Sequence, residues 1–199
     1  DASKPGHQSL ARSGAVVGVV ASVPQSIAAH VDHARPIRKA RHVHADFEVG
    51  SAEGGIDAFH LAGNQIDVTL MVLELIRELT DIPVLCVNAF YMEKVGFRTL
   101  YGATPEETCA KVDATGVPVA IGATCGRWSY DQGAELTRQM AKGTDKYLVL
   151  QPDAGMPELL DGKTVHPGTP DKLEAALPDW LDAGTWIFGG CCGTSLEHY

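Results

Sequence analysis

Three cysteines carry the clearest chemistry in this chain. Cys125 stands in Ile121-Gly122-Ala123-Thr124-Cys125-Gly126, and Cys191 and Cys192 stand together in Gly189-Gly190-Cys191-Cys192-Gly193-Thr194. Three converging thiolates would suit zinc, with Zn–S near ~2.3 Å and a fourth position left for a substrate. Neighbouring side chains of a strand point to opposite faces, so Cys191 and Cys192 can meet one metal only where the backbone leaves the strand. The flanking glycines permit that turn. There is no Cys-x-x-Cys, and the two ligand groups lie far apart in sequence, unlike small zinc modules. Spacing alone is therefore compatible with an open metal site, a closed structural zinc site or a buried thiol pair.

The other two of the five cysteines read as small buried hydrophobes. Cys86 lies inside the apolar run Ile82-Pro83-Val84-Leu85-Cys86-Val87, and Cys109 follows the helix start Thr104-Pro105-Glu106-Glu107. An odd cysteine count without a secretory signal does not resemble a disulfide framework, and adjacent cysteines rarely pair with each other. A reducing, cytoplasmic setting is expected.

The elements that must position these thiols alternate. Near-continuous apolar runs at residues 15–23, 56–61, 83–89, 117–123, 147–151 and 185–188 predict strands buried on both faces of a parallel sheet. Helical patterns lie between them at 65–79, 104–114, 129–141 and 170–183, the first with Leu70, Leu73 and Ile76 inward. Gly143 and Gly184 are good helix stops. Pro178 should kink or interrupt the last helix, and 37–51 is a weaker helical pattern. Residues 1–13 read as a polar tail and 14–199 as one domain. Alternation of this kind predicts an α/β fold with right-handed crossovers. There is no Gly-x-Gly-x-x-Gly after the first strand and no phosphate loop. The competing architecture is a (β/α)8 TIM-type barrel, which places functional residues at the C-terminal ends of its strands, where all three cysteines fall.

Composition narrows the partners. At 199 residues and 45% hydrophobic content the chain can bury a sizeable core. A formal net charge of −9 argues against nucleic acid, which needs a basic face. No apolar run reaches the roughly 18 residues of a membrane helix. Of the eight histidines, His30, His33, His42 and His44 lie in a polar, Arg-containing region and read as a solvated surface. His60 ends a strand near the expected pocket and reads as a half-buried, satisfied histidine. Trp128, just past Cys125, suits either a pocket wall or a core contact.

The motif from Gly189 to Thr194, followed by Leu196-Glu197-His198, resembles the closing signature of the zinc-dependent homocysteine S-methyltransferases. That family includes betaine–homocysteine methyltransferase and the homocysteine domain of cobalamin-dependent methionine synthase. Further matches keep the same order. Gly102-Ala103-Thr104-Pro105-Glu106 resembles a Gly-x-x-Pro-Glu stretch before a barrel helix, and Gly122-Ala123-Thr124-Cys125 resembles the Gly-x-Asn-Cys motif. Gln151-Pro152-Asp153-Ala154-Gly155-Met156-Pro157, continued by Asp161-Gly162-Lys163-Thr164-Val165, resembles the Gln-Pro-Asn-Ala-Gly-x-Pro segment.

The resemblance implies a (β/α)8 barrel of which about six units are present, with Zn2+ as cofactor and Cys125, Cys191 and Cys192 as its ligands. It implies methyl transfer to a thiol acceptor, homocysteine or a related thiol. Zinc would bind the acceptor as thiolate, and the thiolate would attack an electrophilic methyl in line. Relatives take the methyl group from betaine, S-methylmethionine or a methylated corrinoid protein. No catalytic residue beyond the zinc site is implied. Ala62 stands where the family has a glutamate that helps hold the acceptor's amino group. Thr124 and Asp153 stand where it has asparagines. Asp153 can restore a negative charge for an ammonium group, or simply cap a loop. The alternative reading is a non-catalytic or structural-zinc homologue that binds a corrinoid protein. A homo-oligomer is compatible with either. A complete barrel runs to about 250 residues, so the intact protein is expected to extend beyond this sequence at both ends.

Overall fold

A computed structural model describes residues 58–63 and 65–198 in full and residues 19–22 as backbone. The 1–13 segment, the 37–51 helical pattern and His30, His33, His42 and His44 lie outside the described residues.

Six strands form one sheet: β1 (Val19–Ser22), β2 (Phe59–Gly63), β3 (Val84–Asn88), β6 (Pro118–Thr124), β7 (Tyr147–Gln151) and β10 (Thr185–Phe188). They lie in that spatial order and every neighbouring pair is parallel. They fall on the six apolar runs of the sequence, with β2 reaching two residues and β6 one residue further than expected. Helices α1 (Ile66–Leu79), α2 (Pro105–Asp113), α3 (Gly133–Met140) and α4 (Pro170–Ala183) fill the crossovers between β2, β3, β6, β7 and β10.

All four helices pack on one face of the sheet. The core between them includes Leu61, Leu73, Ile76, Val112, Ile121, Leu136, Leu150 and Trp180. The opposite face carries smaller groups: Val87, Ala120 and Val149, flanked by Ala62, Leu85 and Ile187. On that face His60 Nε2 donates to Gln151 Oε1 at 2.8 Å. Their strands, β2 and β7, are separated by β3 and β6, a spacing of about 14 Å in a flat sheet. Side chains stand up from a sheet rather than along it, so the two can meet only because the sheet curls toward that face.

Local chemistry explains the helix ends, and in two places corrects the sequence reading. Thr104 caps α2: its hydroxyl accepts from the Glu107 N–H at 3.1 Å and the Glu107 carboxylate accepts from the Thr104 N–H at 2.8 Å, with Pro105 opening the helix. On α1 Leu73 and Ile76 are buried and Leu70 packs, partly buried, against the same core, as expected, with Thr69 and Val72 buried beside them. Thr69 sits against Gly63 at the end of β2, where a Cβ would strike its hydroxyl. Pro178 does not interrupt α4, which runs unbroken to a left-handed Gly184 (φ 102°). Leu173, Ala176 and Trp180 bury around Pro178, and Trp180 Nε1 donates to Tyr130 O at 2.7 Å. Tertiary packing thus overrides the proline. A single 3-10 turn, Tyr130–Gln132, precedes α3.

Two antiparallel hairpins were not expected: β4 (Tyr91–Glu93) with β5 (Gly96–Arg98), and β8 (Glu158–Leu160) with β9 (Lys163–Val165). The second is exposed throughout, so burial could leave no alternating pattern in the sequence. It turns on Asp161-Gly162 with φ of 49° and 74°, the positive pair a tight hairpin requires.

Candidate metal centre

Three consecutive strands of the sheet, β6, β7 and β10, deliver the expected residues to one place. Cys125 follows β6 directly, with φ 47°, and Gly126 behind it has φ 94°. Two left-handed residues in succession turn the chain out of the strand. Gly126 lies so close to Phe90 O that a Cβ there would collide with it. The Cys125 N–H donates to Gln151 O at 3.1 Å, and its carbonyl accepts from Trp128 Nε1 at 2.6 Å. Trp128 is buried in the core, so it is a core contact that also fixes the Cys125 turn.

Cys191 and Cys192 occupy a turn in which Cys191 O accepts from the Thr194 N–H at 3.2 Å and from its hydroxyl at 2.6 Å. Gly193, at φ 80°, takes the position of that turn where a side chain is strained. This is how two adjacent cysteines turn toward one point. The segment after β7 stitches the loop down: Cys191 N–H to Pro152 O at 2.9 Å, Ala154 N–H to Cys192 O at 2.8 Å, and Cys192 N–H to Asp153 Oδ1 at 3.2 Å.

The ligand atoms of Cys125, Asp153, Cys191 and Cys192 all lie within 4.8 Å of one another. Cys125 and Cys191 are joined as a disulfide, while Cys192 is free and exposed, its Sγ 4.0 Å from Cys125 Sγ and 3.9 Å from Cys191 Sγ. A thiol pair is one of the alternatives that spacing alone left open, although the odd cysteine count does not resemble a disulfide framework. The β6 and β10 ends, flanking β7, bring the two Cα atoms to 5.8 Å, within disulfide reach. A tetrahedral zinc with Zn–S near ~2.3 Å sets its sulfurs about 3.8 Å apart. Cys192 already stands at that separation from both partners, and reduction of the pair would free the other two. The donor set, three soft sulfurs and a carboxylate, fits zinc.

Burial pushes the Asp153 carboxyl above its ordinary value, against the pull of the Cys192 amide and the charge of His166. Asp153 also borders a groove of about 500 Å³ that includes Ser129, Tyr130, Pro167, Lys172 and Asp179, a size suited to a small molecule. Cys86 and Cys109 are fully buried in the core, as expected. Burial pushes the Cys86 thiol up to about 12 and the Cys109 thiol further still. His166 was not singled out by the sequence. Its Nδ1 bonds Gly155 O at 2.9 Å and its ring packs where a Cβ on Gly193 would lie. No spacing rule marks it, because it comes from the loop after an exposed hairpin. His60 is half-buried as expected but only half satisfied: its Nδ1 is buried and has no partner among the described residues.

A strand-end cluster of three cysteines on a parallel α/β sheet defines a class of thiol or metal centre rather than a nucleotide site. Residues 6–199 match the family model of homocysteine S-methyltransferase, and the chain belongs to that family. Among curated proteins it is 29% identical over 168 residues to methionine synthase of Mycobacterium leprae, covering 81% of this chain and 14% of that protein. It is 29% identical over 151 residues to homocysteine S-methyltransferase 1 of Arabidopsis thaliana, covering 72% of this chain and 44% of the relative. The chain thus spans less than half the length of either. Among solved structures it resembles the metallated form of the Escherichia coli homocysteine methyltransferase MmuM (TM-score 0.61, 17% identity, 88% of this chain and 57% of that chain). It also resembles, at TM-score 0.51 and 15% identity, the carboxyl transferase domain of Rhizobium etli pyruvate carboxylase with 3-hydroxypyruvate, over 75% of this chain and 24% of that one. At these identities both likenesses concern the fold. Among the described residues no helix is long and apolar enough to cross a membrane.

Proposed function

We propose that this chain is a zinc-dependent methyltransferase domain, residues 14–199, that moves a methyl group to a thiol acceptor, homocysteine or a close relative. The observation that carries the reading is the meeting of Cys125, Cys191 and Cys192 with Asp153 within 4.8 Å at the ends of three neighbouring strands. The curled sheet with every described helix on its outer face supports a barrel wall, whose strand ends are where such a site belongs.

In this reading Cys125, Cys191 and Cys192, once reduced, hold Zn2+, which supplies the Lewis acidity that lets a thiol lose its proton and act as nucleophile near neutral pH. The chain's own residues position. The Cys125 turn is held by Trp128, and the Cys191-Cys192 turn by Thr194 and by the Pro152–Ala154 backbone. Asp153, keeping its bond to the Cys192 amide through one oxygen, offers the other to the acceptor's ammonium group. The donor is a small onium compound such as betaine or S-methylmethionine, or a methylated corrinoid protein.

Metal analysis of the reduced protein tests the reading. About one zinc per chain, lost on Cys191→Ala, is expected, together with methylated thiol from at least one donor in a screen of betaine, S-methylmethionine and methylcobalamin. A protein that takes up no zinc overturns it. Zinc with no product from any donor favours the non-catalytic homologue.

A further inference from the structure

We propose that His60 is a specificity-determining residue of the acceptor site, its Nδ1 accepting a hydrogen bond from the ammonium group of an amino-acid thiol. The inference rests on the thiol-acceptor reading and adds to it a recognition element deep on the curled face. Gln151 Oε1 is an acceptor, so the 2.8 Å contact requires the hydrogen on His60 Nε2. A second hydrogen, on Nδ1, would leave a buried charge with no acceptor among the described residues, so the packing favours the neutral ring with Nδ1 as a bare lone pair. That atom is buried and has no donor among the described residues, an arrangement that is costly unless something fills it.

Its surroundings say what that is. The apolar neighbours on the face it shares are Ala62, Leu85, Val87, Ala120 and Val149, and no described residue donates to Nδ1. His60 is tied through Gln151 to the cysteine centre. The Gln151 carbonyl accepts from the Cys125 N–H, and its side chain lies where a Cβ on Gly189, two residues before Cys191, would intrude. A ligand group reaching Nδ1 from the thiol site must be a donor, since a carboxylate would oppose lone pair to lone pair. A centre of three thiolates and Asp153 further favours a cation. The ammonium of an amino acid satisfies both.

The test compares binding of L-homocysteine and of 4-mercaptobutanoate, which lacks only the amino group, to the reduced, zinc-loaded full chain by calorimetry. The wild type should prefer homocysteine by about tenfold or more, the worth of a hydrogen bond to a charged group. His60→Gln can keep a donor for Gln151 while lacking an acceptor at the Nδ1 position, and should lose that preference with zinc content unchanged. His60→Asn places an oxygen near the Nδ1 position, abandons the bond to Gln151, and should retain most of it. Equal affinity of the wild type for the two thiols, an unchanged ratio in His60→Gln, or an equal loss in both variants overturns the assignment. If the zinc-loaded wild type binds neither thiol, the thiol-acceptor reading itself fails, and this inference with it.

Discussion

Individual residues at the centre can be separated by what each would lose. Asp153 accepts the Cys192 N–H and lies beside the three sulfurs, so it is either a loop cap or a partner for substrate charge. Asp153→Asn keeps an oxygen for the amide and removes the negative charge. Zinc should be retained while affinity for the amino-acid thiol falls about tenfold; unchanged affinity would make Asp153 a cap alone. The cysteines divide just as cleanly. Cys86 and Cys109 are buried with thiols pushed far above the ordinary range, Cys192 is exposed, and Cys125 and Cys191 are linked. Alkylation of the native, metal-free, oxidised protein followed by peptide mass analysis should label Cys192 alone. After mild reduction Cys125 and Cys191 should join it, with Cys86 and Cys109 modified only on unfolding. Early labelling of either buried thiol would contradict the packing described.

At the scale of elements, the approach of β6 to β7 depends on Gly122. A Cβ there would run into the backbone carbonyl of Val149, and backbone cannot swing aside as a side chain can. Gly122→Ala should destabilise by about 1–3 kcal/mol and, because Cys125 is three residues on, weaken zinc retention as well; denaturant melts and metal content read both. The α2 cap gives a pH-dependent counterpart. Hydrogen bonds from Thr104, its backbone N–H above all, hold the Glu107 carboxyl below its ordinary value. A depressed folded-state value means a stabilising contribution that is complete above the unfolded value and fades as pH falls through the folded one. The melting advantage of wild type over Glu107→Gln should therefore be present at neutral pH and fade as pH falls through and below the ordinary carboxylate range. The main-sheet elements were legible because they obey strong local rules: apolar runs of strand length, a capping box at Thr104, glycine stops. What sequence could not give was the outcome of tertiary competition. Pro178 is tolerated because Trp180 and Leu173 are anchored on either side, and the fit of Thr69 against Gly63 joins a helix to a strand end. The β8–β9 hairpin buries nothing, so it left no periodic trace. For the site, the three cysteines were legible from type and flanking glycines, whereas His166 and the unfilled nitrogen of His60 arise only when distant loops and strands meet.

For the whole molecule, the centre is also a cross-link. Cys125 and Cys191 are 66 residues apart in sequence, and their separation encloses the 3-10 turn, α3, β7, the β8–β9 hairpin, α4 and β10. A bond or a metal joining them closes that loop in the folded state, and two of the strands it ties, β6 and β10, are not paired to each other but only through β7. The centre therefore spans three strands that hydrogen bonds link only in sequence. If zinc occupies the reduced thiols as proposed, ligand-linked stabilisation should appear as a melting temperature that climbs with free zinc, reaching about 4 kcal/mol at a thousandfold excess over Kd. Chelation should reverse it. Cys191→Ala should melt near the reduced, metal-free wild type and gain little from zinc, since only two of the three sulfurs remain. Oxidation of the metal-free wild type to the Cys125–Cys191 disulfide should recover part of the lost stability without any metal, because the same loop is closed by other means. Calorimetry on these four states separates the contributions: a reduced protein whose stability is indifferent to zinc, yet rises on oxidation, would show that the sulfurs meet as a thiol pair and not around a metal.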